Sequence, residues 1–378
     1  MNRVLSASSS AMYTHVAKPI FFKQPPDKVH ERMTRVGHRL QKHRSARAVL
    51  RAAWAYQNPN VLQQTIHDIT FKNPVGLSAG FDKNFDLPPL VKAIGFGFME
   101  GGSTTYRPCS GNPKPWFYRL PKSKSLVVHA GLGNNGVKQA ILQLQSYPRG
   151  TFFGFPLNIS IAKTNLPQVY SEQNGIDDFV ASARLLKAAR VGDMITLNIS
   201  CPNAFGGESF TDPQKLDHLL QAIDALDLAQ PVFIKMPCDL AWPEFATLLA
   251  VIDKHSVAGL TISNLAKDRS KLELSDPLPD SVRGNLSGKP TYDLSNALIA
   301  KTYQTYGSRF VIIGVGGIFS AQDAYTKIRL GASLVELITG MVFEGPQLIG
   351  QINRELVSLI KKDGFHHVQQ VIGIDAIK

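Results

Sequence analysis

The segment Leu197-Asn198-Ile199-Ser200-Cys201-Pro202-Asn203 gathers one thiol, two amides, a hydroxyl and a rigid proline. It continues Met194-Ile195-Thr196, an apolar, β-branched run that reads as a buried strand. Asparagine side chains cost free energy when buried unpaired. Donors, acceptors and a thiol at the carboxyl end of a strand therefore suit a polar, planar ligand. The alternative is a structural cysteine beside a capping asparagine, because free cysteine is among the most buried residue types. Lys235 is a second anomaly, set inside the apolar run Val232-Phe-Ile-Lys-Met-Pro237. A buried ammonium is costly without a partner, so it too marks a site.

Residues of this kind need a scaffold, and the pattern from about residue 66 onward supplies one. Short apolar runs at 74–79, 96–101, 157–162, 195–200, 232–236, 259–264, 310–316 and 334–340 alternate with helical segments. The helices are predicted near 86–94, 136–147, 176–190, 213–228, 243–255, 292–306, 321–330 and 346–362. Eight strand–helix units in this length predict an α/β fold, a (β/α)8 TIM barrel. A doubly wound open sheet is the runner-up, but no GxGxxG opens the first helix. The stretch 102–156 reads as an insertion carrying small strands at 116–120 and 126–128.

In such barrels the site is built at the carboxyl ends of the strands. Strand one ends in Ala79-Gly80, with Asp82-Lys83 just beyond, and strand two leads to Gly102-Ser103-Thr104. Strand three carries Asn158, strand four Asn198 and Cys201-Pro202-Asn203, strand five Lys235, and strand six Ser263-Asn264. Strand seven ends in Gly314-Val315-Gly316-Gly317 and strand eight in Thr339-Gly340. The glycines of strand seven could form a simple turn. Together with the Thr-Gly of strand eight, they also match a phosphate cradle of backbone N–H groups. A cradle, a buried lysine and several amides fit a phosphorylated planar cofactor, and flavin mononucleotide (FMN) suits them. Lys235 would then lie near N1–C2=O of the ring, where negative charge gathers on reduction.

The chain has 378 residues, 44% hydrophobic and 19% charged, which is globular composition and enough for a large core. Its three cysteines form no CxxC, which argues against a disulfide framework and against a structural zinc site. No apolar run approaches the ~20 residues of a spanning helix. Charge is uneven: residues 1–60 hold eleven Lys/Arg against two acids, nine of the twelve net positive charges. A basic N-terminal module on a near-neutral body suggests an anionic partner surface, against the alternative of a solvated helical face. Residues 28–57 read as helical, and the apolar–basic stretch 13–22 precedes them across Pro25-Pro26. This predicts an amphipathic unit able to lie on a bilayer. The Ser-rich, acid-poor start also has transit-peptide character, and residues 1–11 are expected to be a disordered tail.

With these residues assembled, the chain resembles the dihydroorotate dehydrogenases, and specifically their membrane-associated, quinone-using class 2. The resemblance covers nearly the whole chain. It rests on Asn73-Pro-Val-Gly-Leu-Ser-Ala-Gly-Phe-Asp-Lys83, Arg107 to Pro115, the Asn198–Asn203 motif, Gly284-Asn-Leu-Ser-Gly-Lys-Pro290 and Ile313-Gly-Val-Gly-Gly-Ile318. Pro26-Asp-Lys-Val-His30 resembles the start of the class 2 helical module that forms the quinone tunnel, which class 1 lacks. The resemblance implies two parts, a membrane and quinone module over 1–60 and an FMN-binding catalytic barrel over 61–378. It implies that Ala79, Gly80, Ser103, Asn158, Asn198, Lys235, Ser263, Gly288, Gly316, Gly317, Thr339 and Gly340 hold FMN. Lys83, Asn198, Asn203 and Asn264 would hold the substrate, with Cys201 as catalytic base and no metal.

The implied reaction is oxidation of (S)-dihydroorotate to orotate in pyrimidine biosynthesis. Cys201 removes the C5 proton, C6 gives hydride to the flavin, and electrons pass on to a membrane quinone. Residues 204–211 form a candidate lid. The implied location is peripheral, on the cytoplasmic face of a bacterial inner membrane or on the mitochondrial inner membrane, with no nucleic-acid partner.

Two departures stand out. Class 2 enzymes carry serine where this chain has Cys201, the class 1 choice; a free thiol has a pKa near ~8.5 and takes a proton with less help than an alcohol. Val128 and His129 replace a family Asn and, in class 2, Arg; Val128 cannot hydrogen-bond a pyrimidine, which either a neighbour such as Asn134 offsets or a related substrate explains. Three alternatives remain open at this point: a tRNA dihydrouridine synthase-like enzyme, a flavin barrel acting on another cyclic amide or with a soluble acceptor, and a non-catalytic flavin-binding protein.

Overall fold

The computed structural model describes residues 3–204, 207 and 209–376. Each of the eight apolar runs forms a strand. They are β1 Val75–Leu77, β2 Phe98–Thr105, β3 Leu157–Ala162, β4 Met194–Asn198, β5 Val232–Lys235, β6 Val257–Ile262, β7 Val311–Val315 and β8 Leu334–Leu337. They pair in parallel, each with the next, and β8 pairs with β1 to close the barrel. Helices cover the outside, so both strand faces are buried and the strands read as continuous apolar runs. The covering helices start at cap residues: Ser171, Asp212 and Ser320 each accept backbone N–H groups of the first turn.

Side chains alternate along a strand, so residues two apart share a layer direction. Phe98, Met194, Phe233, Ile313 and Leu334 form one apolar layer inside the barrel. The hairpin Gln64–Ile66/Ile69–Phe71 closes the floor by adding Phe71 to that layer. Two residues further along come Glu100, Thr196, Lys235, Val315 and Glu336, so the next layer is polar and faces the open end.

The insertion holds the strands Phe117–Leu120 and Ser125–Val128, as expected. A third strand, Asn285–Gly288, pairs with Ser125–Val128. It arrives from the β6–β7 connection, and no local pattern in the sequence announced it.

The N-terminal region departs from expectation in one place. Residues 1–11 were expected as a disordered tail, yet Arg3–Met12 is a helix (Met1 and Asn2 lie outside the described residues). Its small face lets it dock: Ser6 is buried, and Ser9 accepts from Trp54 Nε1 at 3.1 Å. The stretch 28–57 is helical as expected, in two helices, Pro26–Leu40 and Arg44–Trp54. Gln41 sits at the break, buried, and donates to the Asp86 carbonyl of the barrel, which fixes the turn there. Asp27 ties the first of these helices to the insertion by accepting from Trp116 N at 3.0 Å. No helix among the described residues is long and apolar enough to cross a membrane.

Candidate functional site

A cavity of about 450 Å³ opens at the carboxyl ends of the strands and continues under the N-terminal helices. Every site residue expected from the sequence lines it except Asn158. Asn158 lies beneath, fully buried; it donates to Thr196 Oγ1 at 2.8 Å, and its Oδ1 has no donor among the described residues.

The amides form one connected set. Asn264 Nδ2 donates to Asn198 Oδ1 at 3.1 Å and to the Ser200 carbonyl at 2.7 Å. Asn198 Nδ2 donates to Ser103 Oγ at 2.8 Å, and Ser103 Oγ pairs with Ser160 Oγ at 2.8 Å. Asn203 is held from the insertion sheet: Nδ2 donates to the Val128 carbonyl at 3.0 Å, and Oδ1 accepts from Asn285 at 2.7 Å. These bonds hold the amides that line the cavity in fixed orientations.

Lys83 lines the same cavity. Asp82 shapes its loop by accepting from the backbone N–H groups of Asp86 and Leu87 at 2.9 and 2.8 Å. Burial pushes the Asp82 carboxyl up to about 6, against those two bonds. Lys83 Nζ lies 4.4 Å from the centre of the Trp116 ring and has no hydrogen-bond acceptor among the described residues. Burial pulls its ammonium down to about 8, opposed first by the field of Cys201. Lys83 and the half-buried, disulfide-free thiol of Cys201 both line this cavity, a pairing of charge and thiol typical of functional sites.

The glycines make room. Gly316 and Gly317 have φ of +115° and +71°, and a Cβ on Gly317 would stand 2.5 Å from Tyr292 Cβ. A Cβ on Gly340 would meet the Ile318 carbonyl at 2.0 Å. Gly288 places the Asn285–Gly288 strand against Thr339, whose Oγ1 pairs with Ser287 Oγ at 2.9 Å. Strand seven therefore ends in a tight turn whose backbone borders the cavity.

Three features were missed or misassigned from the sequence. Asn134 does not substitute for the amide absent at Val128; it is buried, and its side chain bonds Thr104 and Thr105 of β2 and Leu132 and Gly136 of its own loop. Glu100 and Glu336 share the layer of Lys235, and their acidity inside apolar strands was as visible as that of the lysine. His30 and Arg119 border the outer cavity among Val29, Met33 and Phe117. Burial, then the Lys83 charge, lowers the His30 pKa, which favours the neutral ring. Of the candidate lid, Phe205, Gly206 and Glu208 lie outside the described residues; Phe210 packs on Phe179 at 5.7 Å.

Comparison with known proteins agrees with this geometry. The family model for dihydroorotate dehydrogenase matches residues 61–360. A dihydroorotate dehydrogenase (quinone) of Myxococcus xanthus is 34% identical over 355 residues, 91% of this chain and 94% of its own. Another from a Cyanothece species is 31% identical, covering 93% of this chain and 96% of its own. A ligand-free dihydroorotate dehydrogenase structure from Eimeria tenella superposes with a TM-score of 0.77 at 27% identity, over 90% of this chain and 98% of that one. With the barrel, the strand-end site and these relatives in agreement, this chain belongs to the dihydroorotate dehydrogenase family.

Proposed function

We infer that this chain oxidises (S)-dihydroorotate to orotate in pyrimidine biosynthesis, using FMN and a membrane quinone. The observation that carries the reading is the juxtaposition of Lys83, Cys201 and the amide set around one cavity. FMN fits the residues present. The unpartnered Asn158 Oδ1 offers an acceptor beneath the cavity, and the Gly316–Gly317 and Gly340 backbone borders the cavity with no side chain of its own. Ala79, Gly80, Ser103, Asn158, Asn198, Lys235, Ser263, Gly288, Gly316, Gly317, Thr339 and Gly340 would hold it. The bound flavin supplies the hydride acceptor and the onward electron carrier.

The chain's own residues do the rest. Lys83 neutralises the substrate carboxylate. Asn198, Asn203 and Asn264 orient the ring, with their free bonding capacity set by the contacts described above. Cys201 takes the C5 proton as the C6 hydrogen leaves, so the ring loses two hydrogens and gains one double bond. Lys235 places positive charge where reduction gathers negative charge. The apolar passage lined by Val29, Met33, Val36, Leu40 and Trp54 suits a lipophilic acceptor.

On this reading residues 1–60 form the quinone and membrane module, and 61–378 the catalytic barrel. Exposed Met12, Val16, Ile20, Met33 and Val49 beside the basic residues support peripheral contact with an anionic bilayer, on this reading the cytoplasmic face of a bacterial inner membrane or the mitochondrial inner membrane. No nucleic-acid partner is required.

Val128 favours a second reading, a related cyclic amide as substrate, because Asn134 is committed elsewhere. Turnover compared across dihydroorotate, dihydrouracil and other cyclic amides, each with quinone, fumarate and NAD, tests both halves. The proposed function requires the dihydroorotate–quinone pair to dominate. Val128→Asn is expected to restore one hydrogen bond, worth about 0.5–1.5 kcal/mol, and so to lower the dihydroorotate KM roughly 2- to 12-fold. An unchanged KM would show that Val128 does not face the substrate.

A further inference from the structure

The mechanism leaves two buried acids without a role. Glu100 on β2, Lys235 on β5 and Glu336 on β8 stand in one layer of the barrel, two residues above its apolar plug. Lys235 Nζ donates to Glu100 Oε1 at 3.2 Å and to Ser78 Oγ at 3.4 Å. Ser78, Lys235 and Glu336 all line the cavity. Both acids have 0% exposure.

The donors do not suffice for two carboxylates. Glu100 Oε2 and both oxygens of Glu336 have no donor in good hydrogen-bond geometry among the described residues, and the Ser78 hydroxyl, which favours an ionised Glu336, offers a single O–H to three oxygens. Two carboxylates facing one ammonium would also leave a net negative charge in the barrel core, where an unpaired charge costs several kcal/mol. One proton removes both problems. It supplies the missing O–H donor and brings the group to neutrality. Burial first, and then the neighbouring Glu100 charge, hold the Glu336 carboxyl well above the usual carboxylate range.

We propose that Glu100 and Glu336 share a single proton at the cavity floor, so that either one serves as counter-ion while the pair positions Lys235. The inference rests on the flavin reading of that cavity for its effect, though not for its existence. The sharing makes the two acids interchangeable. Removing one leaves the remaining carboxylate paired with Lys235 and the net charge unchanged. Removing both leaves the ammonium without a counter-ion, which favours the reduced, more negative flavin.

The test uses the flavin-loaded full chain and the variants Glu100→Gln, Glu336→Gln and the double substitution. Infrared spectroscopy reads the pair directly. The wild type should show a protonated-carboxyl C=O stretch that shifts on exchange into D2O, and either single variant should lose it. Reductive titration reads the consequence. The single variants should hold the reduced-to-oxidised flavin ratio at wild-type values for a given potential. The double variant should raise that ratio at least about tenfold, or about 30 mV for a two-electron couple.

A missing carboxyl band in the wild type overturns the proposal, as does a tenfold rise in Glu336→Gln alone, because both mean two ionised carboxylates. A double variant no different from the singles overturns the positioning role. If the double variant does not fold, the band and the single variants still decide. Failure to bind flavin at all would sink the flavin reading, while the carboxyl band remains readable on that same protein.

Discussion

Cys201→Ala is expected to bind flavin normally and to lose about a hundred- to ten-thousand-fold in turnover with dihydroorotate, the range a positioned general base supplies. The thiol borders the cavity on the loop that follows β4, and Lys83 lines the same cavity. The amide set is anchored by Asn198, Asn264 and Ser200, none of which depends on the thiol for the bonds that position it. The substitution therefore removes the base and leaves the ring's binding groups in place. Stopped-flow reduction by dihydroorotate isolates the step, because KM should change little while the rate of flavin reduction collapses. Near-normal reduction would exclude Cys201 as the base.

Lys83→Met should instead act on binding. The ammonium is buried and without a hydrogen-bond acceptor, so a bound carboxylate would be its main partner. Removing one member of a buried, hydrogen-bonded charge pair costs about 2–5 kcal/mol, or roughly 30- to 4,000-fold in KM. The pH dependence carries the same signature. With its pKa pulled to about 8, Lys83 is charged below that pH and neutral above it. Affinity for the anionic substrate should be flat below pH 8 and then weaken about tenfold per pH unit. The methionine variant should lose that dependence. Isothermal titration of orotate against wild type and variant across this range measures both effects. A wild-type affinity that ignores pH near 8 would show that another group receives the carboxylate.

The parts legible in the sequence were those written in local pattern. The eight strands follow from apolar, β-branched runs, and the barrel follows from their alternation with helices. Cys201, Lys83 and the amides were visible because polar groups at strand ends are poor core material. What the sequence hid depends on contacts between distant segments. Asn285–Gly288 becomes a strand only because Ser125–Val128 lies beside it. The helix break at Gln41 exists because a barrel carbonyl, that of Asp86, receives its side chain. Asn134 looked available for a ligand, and β2 and its own loop consume it. Glu100 and Glu336 were the avoidable misses. Each is an acid within an apolar strand, the same anomaly that singled out Lys235, and the period of two places all three in one layer.

The central claim is that one cavity serves both the oxidation of dihydroorotate and electron transfer to quinone. Anaerobic mixing of the flavin-loaded protein with dihydroorotate, followed by a short-chain quinone, tests it most directly. Rapid bleaching of the visible flavin band, then its recovery on adding quinone, is the predicted result. A flavin that dithionite reduces but dihydroorotate does not would contradict the account and turn attention to another cyclic amide.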